Sequence, residues 1–360
     1  MSSIIHIDDF LSKSKEFPII DVRSESEFKQ GHFPGAINIP ILNDEHRKEV
    51  GIAYKQKGRQ EAVIKGFELA GPKFGDFISQ VKNIFSKLPT SNFQLPTILL
   101  YCWRGGMRSA IADWILSLAG FQIYRLKGGY KAFRNWTLDV LKQEKKILIL
   151  GGMTGSGKTE ILQHLSKLGE TVIDLENLAH HKGSAFGALG QSPQPTTEHF
   201  ENLLAMLWAD ASDKNFLWLE NESRTIGCNQ IPNAIYEQIR KGNVVEINVK
   251  RELRIKRILN EYARFPVEQL TELTIKLKKR LGGEHLKESL EYLENRDFEN
   301  WSKKMLDYYD KSYSYGMMQR ENGTIHSINL EGNDYLEFAK QVREFGNSLM
   351  KNFTQKVFAL

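Results

Sequence analysis

Twice in this chain an apolar, strand-length run ends in a glycine-rich turn that opens into a helical segment. Thr97–Tyr101 leads into Cys102-Trp-Arg-Gly-Gly-Met-Arg108-Ser109, and Lys146–Leu150 leads into Gly152-Met-Thr-Gly-Ser-Gly157-Lys158-Thr159. Such a turn gathers backbone N–H groups beside a helix amino end and makes a cradle for an anion. An α/β fold with a mostly parallel sheet is the architecture that delivers strands to helix starts in this way. Two such turns in succession call for two sheets, one cradle built round a thiol and the other round a lysine.

The alternation of elements agrees. Pro18–Val22, Ala36–Ile39, Thr97–Tyr101 and Gln122–Leu126 read as strands, with helices over Glu25–Gln30, Phe67–Leu88 and Ser109–Leu118. Polar residues from Asn135 to Lys146 mark a boundary, placing one domain at 1–138 and a second at 139–360. In the second, Thr171–Asp174, Phe216–Leu219 and Val244–Val249 read as further strands, and Glu252–Tyr309 as a charged helical part.

At 360 residues and 41% hydrophobic, the chain can build two cores without staples. Its two cysteines, Cys102 and Cys228, form no CxxC pair, which excludes a disulfide framework and a thiolate zinc site. Apolar runs are strand-sized and the amino terminus lacks a signal pattern, so a cytoplasmic protein with no membrane span is expected. The net charge of +5 is modest, but Lys250 to Arg280 is rich in Lys and Arg, which suits a polyanionic partner.

In the first cradle the strand places Cys102 at the carboxyl edge of a sheet, and the next helix aims its amino end back at the sulfur, favouring the thiolate. Arg104 and Arg108 add positive charge, and Gly105-Gly106 lets the loop curl inward. The three candidate catalytic residues are therefore Cys102, Arg104 and Arg108. Asp21-Val-Arg23-Ser-Glu-Ser-Glu-Phe, Gly31-His-Phe-Pro-Gly35, the Cys102 loop and Leu126-Lys-Gly-Gly129-Tyr together resemble the motifs of the rhodanese family. The resemblance implies a rhodanese-like domain whose cysteine carries a transferable chalcogen. It makes Asp21 and Arg23 supporting residues, for which an ordinary fold salt bridge is an equal reading. The C-x5-R count, one longer than in many rhodaneses, is shared with phosphatase and arsenate-reductase relatives and suits a tetrahedral oxyanion.

Gly152-x4-Gly157-Lys158-Thr159 between a strand and a helix has the context of a P-loop, as in an NTPase-like α/β domain. Gly152, Thr154, Gly155, Ser156, Gly157, Lys158 and Thr159 are the expected diphosphate-binding residues, with Thr159 on Mg²⁺. Asp174, Glu220 and Glu222 end strands nearby and are candidates for the metal shell or for proton transfer. Glu220 and Glu222 can equally cap or pair with Arg224.

Adding Arg47-Lys-Glu-Val-Gly51-Ile-Ala-Tyr54, Asp174-Leu-Glu-Asn-Leu-Ala-His180-His181-Lys-Gly183 and Trp218-Leu-Glu-Asn-Glu222-Ser-Arg224, the chain resembles the tRNA 2-selenouridine synthase family over nearly its whole length. Lys182 stands where arginine is expected in that family. The resemblance implies replacement of sulfur by selenium in wobble 2-thiouridine, with selenophosphate as donor and an S-geranyl intermediate made from geranyl diphosphate. Cys102 would either bear selenium or orient selenophosphate through Arg104 and Arg108. tRNA would meet Lys276, Lys278, Lys279 and Arg280, with Tyr308, Tyr309, Tyr313 and Tyr315 as stacking candidates. Further partners would be the small-molecule donors and an enzyme that supplies selenophosphate. Phe186, Leu189, Trp208 and Trp218 can wall a geranyl chain or simply belong to the core. A rival reading is a nucleotide-dependent small-molecule kinase fused to a sulfurtransferase, with the basic segment Arg251–Arg257 as a phosphate-clamping lid.

Overall fold

The computed structural model describes residues 3–85, 96–211, 216–320, 324–332 and 334–357, with side chains as far as 349. It divides into two compact units, Met1–Val140 with Glu201–Met206, and Leu141–Phe200 with Leu207–Leu360. The division after Val140 stands beside the boundary expected at 138. No feature of the sequence announces the transfer of Glu201–Met206 to the first unit.

The first unit holds β1 (Ser3–Ile5), β2 (Ile19–Asp21), β3 (Ile37–Asn38), β4 (Thr97–Tyr101) and β5 (Gln122–Leu126). They form one sheet in the order β1-β5-β4-β2-β3, with every pairing parallel. All five residues of β4 are buried, as expected of a central parallel strand covered on both faces. Its helices are α1 (Ile7–Lys13), α2 (Glu25–Gln30), α3 (Asp44–Lys57), α4 (Arg59–Ala70), α5 (Phe74–Phe85), α6 (Met107–Leu118) and α7 (Gly129–Val140). The single helix expected over 67–88 is instead the end of α4, a short 3₁₀ turn at Gly71–Lys73 and α5; residues 86–88 lie outside the described residues. Pro72 explains the break, since it falls inside that turn, where a continuing α-helix would need its N–H. One sheet face packs Phe10, Phe33, Tyr101, Tyr130 and Phe133, and the other packs Ile20, Ile98, Leu100 and Leu116.

The second unit contains β6 (Ile147–Gly151), β7 (Thr171–Ile173), β8 (Leu217–Glu220), a β9–β10 hairpin (Thr225–Ile226, Asn229–Gln230), β11 (Asn243–Val249) and β12 (Ile325–Leu330). Its main sheet, β12-β11-β6-β8-β7, is again parallel throughout. The helices are α8 (Lys158–Lys167), α9 (Leu175–Ala179), α10 (Thr197–Asp210), α11 (Asn233–Lys241), α12 (Arg251–Tyr262), α13 (Val267–Lys276), α14 (Lys278–Leu281), α15 (Gly283–Glu294), α16 (Phe298–Met318) and α17 (Tyr335–Val357). Leu148, Leu150, Ile161, Leu165 and Trp218 form the core against α8 and α17, while α12 to α16 gather round Trp301, Met305 and Leu293. In both units the glycine turn follows the middle strand of five, where helix starts and neighbouring strand ends converge. Among the described residues no helix is long and apolar enough to cross a membrane.

Candidate functional sites: a thiol cradle and a P-loop

Cys102 follows β4 and is 3% exposed. Its Sγ lies 3.2 Å from Ser109 Oγ, which in turn donates to the Gly106 carbonyl at 3.0 Å. Helix α6 starts at Met107, capped by Gly106, two residues earlier than the sequence suggested. The loop is shaped by interlocking glycines. Gly105 has φ +67°, and a Cβ there would stand 2.9 Å from the Leu126 carbonyl oxygen. Gly129 has φ +60°, and its Cβ would overlap the Cys102 carbonyl oxygen and the Gly105 nitrogen. The Leu126–Tyr130 turn is thus the outer wall of the thiol loop, and the Tyr130 N–H ties it to Cys102 O at 2.8 Å.

Below the loop, Asp21 and Arg23 form a fully buried ion pair, Nη2 to Oδ2 at 2.6 Å and Nε to Oδ2 at 2.9 Å. Arg23 also donates to the Gly31 carbonyl at 2.7 Å and lies 3.8 Å from the Tyr130 ring centroid. The pair lies away from solvent, against the ring of Tyr130. Arg108 extends bidentately to Glu27, at 2.5 and 3.1 Å. Burial pulls the Arg108 guanidinium down, but the Glu27 hydrogen bond and charge, with Cys102 nearby, leave it above its ordinary value. Glu27 also accepts the Ser24 N–H as the capping box of α2 and meets Arg47 at 3.2 Å. Sequence reading missed Glu27 as an Arg108 partner. Its Ser-x-x-Glu spacing announces a helix start and nothing more. Arg104 is exposed at the mouth.

In the second unit Gly152 (φ +155°), Gly155 (φ +76°) and Gly157 (φ +86°) turn the chain from β6 into α8. A Cβ on Gly152 would meet Ile247 at 2.6 Å, and one on Gly157 would meet Tyr335 at 2.6 Å, so the loop is closely packed from outside. Lys158 Nζ donates to the Gly152 carbonyl at 2.9 Å, spanning the loop. Arg254 donates to Thr154 O at 2.9 Å and pairs with Asp310, while Arg257 donates to Gly155 O at 3.2 Å and to Ser156 O, with its guanidinium 4.7 Å from the Tyr335 ring. Arg251 pairs with Asp307 at 2.5 Å. The basic segment that a kinase lid would require is therefore engaged with loop carbonyls and aspartates. Tyr313 adds a further support, accepting the Gly152 N–H at 2.7 Å and donating to Glu246 at 2.6 Å.

Thr159 Oγ1 lies 3.3 Å from both Glu176 and Glu220. Carboxylate oxygens of Glu176, Glu220 and Glu222 all lie within 4.8 Å of one another. Burial and then mutual repulsion raise all three: Glu220 and Glu176 go well above the usual carboxylate range, and Glu222 goes to about 8. Glu220 is fully buried, and its Oε2, like Ser156 Oγ, has no hydrogen-bond partner among the described residues. A buried orphan acceptor beside two more carboxylates and a threonine hydroxyl is an all-oxygen donor set that fits a hard divalent cation such as Mg²⁺. Glu176 was not foreseen. The sequence pointed to Asp174, which caps α9 by accepting the Asn177 N–H at 2.8 Å, and Glu176 two residues on reaches the cluster. Arg224 donates to Asn233 at 2.5 Å, and no ion pair to Glu220 or Glu222 is among its described contacts.

Lys276, Lys278, Lys279 and Arg280 are all exposed at the end of α13 and on α14. The aromatic candidates divide: Tyr309 accepts the Ala185 N–H at 3.1 Å, Tyr313 belongs to the P-loop support, Tyr308 meets Arg280 at 3.3 Å, and Tyr315 is 67% exposed. Trp208, Trp218 and Phe186 are buried core residues.

A thiol-bearing rhodanese domain joined to a P-loop domain with its own carboxylate cluster is the class of protein that this fold and these sites define. Residues 7–135 match the rhodanese-like domain family, and residues 145–296 match the tRNA 2-selenouridine synthase AAA domain. The tRNA 2-selenouridine synthase of Hydrogenovibrio crunogenus is 38% identical over 85% of this chain and 91% of its own length. That of Sulfurovum sp. is 36% identical over 83% and 88%. A solved N-terminal domain from Clostridium difficile 630, described as part of an ATP/GTP-binding protein, covers 38% of this chain and 99% of its own at 38% identity, with a TM-score of 0.33. The chain belongs to the tRNA 2-selenouridine synthase family.

Proposed function

We propose that this enzyme replaces the 2-thio sulfur of wobble 2-thiouridine in tRNA by selenium, in two steps divided between the two cradles. The observation that carries the reading is the presence in one chain of a buried thiol in an anion-binding loop and of a P-loop flanked by a cation-ready carboxylate cluster.

In the first step the P-loop N–H groups and Lys158 hold the diphosphate of geranyl diphosphate. The uridine sulfur attacks the allylic carbon, the C–O bond to diphosphate breaks, and the N3 proton of the base is lost. Charge accumulates on the departing diphosphate, where preorganised donors act most strongly. Thr159, Glu220, Glu176 and Glu222 would hold Mg²⁺, which supplies further neutralisation of that charge. Arg254 and Arg257 hold loop carbonyls from outside and Tyr313 holds the Gly152 N–H, so the three keep the loop in shape.

In the second step selenium from selenophosphate adds at C2 of the S-geranylated base. Water takes the phosphoryl group as the Se–P bond breaks, the C2–S bond breaks, the sulfur leaves as geranylthiol with one proton, and N3 regains the proton it lost in the first step. Alkylation converts a poor leaving group into a good one, which accounts for the intermediate. Cys102 handles selenium at the loop floor, Ser109 supports the sulfur, and Arg108 orients the incoming selenophosphate.

The test is incubation of 2-thiouridine tRNA with geranyl diphosphate, selenophosphate and Mg²⁺, followed by nucleoside mass spectrometry. Selenouridine is expected, with S-geranyl-2-thiouridine accumulating when selenophosphate is withheld. A requirement for ATP or GTP, with no use of geranyl diphosphate, defeats the proposal.

A further inference from the structure

Three side chains at the mouth of the thiol loop have no role in the steps above. Trp103 is 38% exposed and Met107 45%, although both flank a cysteine that is almost wholly covered. Arg104 between them makes no ion pair among the described residues, whereas Arg108 is held by Glu27. Trp103 is not a loose surface residue. Its ring packs against Tyr130 with centroids 5.6 Å apart, its carbonyl accepts the Lys131 N–H at 3.0 Å, and the Arg23 guanidinium lies 5.8 Å from its centroid. An aromatic ring fixed from the inside and open on the outside is a stacking platform for a flat partner.

Resting on the proposed geranyl intermediate, we infer that the rim formed by Trp103, Arg104 and Met107 is the recognition site for the S-alkylated wobble nucleotide. Trp103 stacks on the pyrimidine, and because Trp103 directly follows Cys102 in the chain, the stacked base is brought to the thiol loop. Met107, an unbranched and adaptable thioether, offers apolar contact to the alkenyl chain. Arg104, with no carboxylate partner among the described residues, takes a flanking phosphate. The three chemistries match the three parts of that nucleotide: a ring, a hydrocarbon and an anion. Trp103 is a positioning residue here, since it holds the base without touching the bonds that change.

The test uses the full chain and an anticodon stem–loop RNA carrying S-geranyl-2-thiouridine, with selenophosphate. Trp103→Ala should raise KM about tenfold, the fold-change expected for loss of one base–aromatic stack, while kcat moves far less. Trp103→Phe should recover most of the loss. Met107→Ser should reduce the preference for S-geranyl over S-methyl RNA. An unchanged KM in Trp103→Ala, or a fall in kcat alone that Phe does not rescue, overturns the inference. A wild-type protein that converts 2-thiouridine RNA but leaves geranylated RNA untouched defeats the geranyl step instead. Trp103 is then judged by the same KM comparison on the 2-thiouridine RNA.

Discussion

The two cradles share a backbone plan and differ in electrostatics. The Cys102 loop carries Arg104 and Arg108 against Glu27, a positive excess that suits an anion on its own. Round Lys158 the carboxyls of Glu176, Glu220 and Glu222 are held protonated by burial and by one another, so a cation entering the cluster has to displace their protons before the site can serve a diphosphate with its metal. The same strand, glycine turn and helix can therefore serve an anion alone or an anion with its metal, and the neighbouring strand ends decide which.

The sharpest way to break this comparison is to remove one cradle at a time. Cys102→Ser should lower selenium incorporation about 10²-fold or more, the scale for one lost positioned group at a reacting centre, while S-geranyl-2-thiouridine still forms. Lys158→Ala should lower geranylation about 10²- to 10³-fold, the scale for one lost oxyanion contact. Nucleoside mass spectrometry of the same reactions reads both. Equal loss of both products in each mutant would mean that the cradles do not divide the chemistry.

Gly129→Ala probes the shape of the first cradle. Its Cβ would overlap Cys102 O at a positive φ, so destabilisation of roughly 3 kcal/mol is expected, seen as a lower Tm of the first unit. Gly58, also at positive φ but with nothing within 4 Å of its Cβ, should cost less on the same change.

The second cradle has its own signature in pH. Glu222 is raised from an ordinary 4.5 to about 8, so without a divalent cation the folded state holds more protons than the unfolded one between those values. Stability from this group is fully present below about 4.5 and is lost as pH rises toward 8. Thermal unfolding in chelator should show that decline, and Mg²⁺ should flatten it. A slope unaffected by Mg²⁺ would argue against cation binding at the cluster. The smallest effect is expected at the basic knob, where Lys278→Ala with Lys279→Ala should weaken tRNA binding uniformly and reduce the salt slope by about two.

Much of this was legible in the sequence where a rule is local. Fully apolar runs gave β4 and β6, the glycine spacing gave both turns, and Lys158 and Thr159 follow from their place after Gly157. What was not legible depends on contacts distant in sequence. Glu27 reaches Arg108 across 81 positions, and Arg254 reaches Thr154 across 100. Asp174 and Glu176 show the finer limit: both are carboxylates at one strand end, and only the helix start at Leu175 decides which becomes a cap and which faces Thr159.

The interlock of Gly105 with Gly129 reaches beyond stability. Each glycine occupies room that the other turn would need, so the seat of the sulfur is a joint property of two segments on different strands. Anyone wishing to resize this pocket for a bulkier donor must redraw both segments together. Random single substitutions in either will mostly yield misshapen loops rather than new specificities.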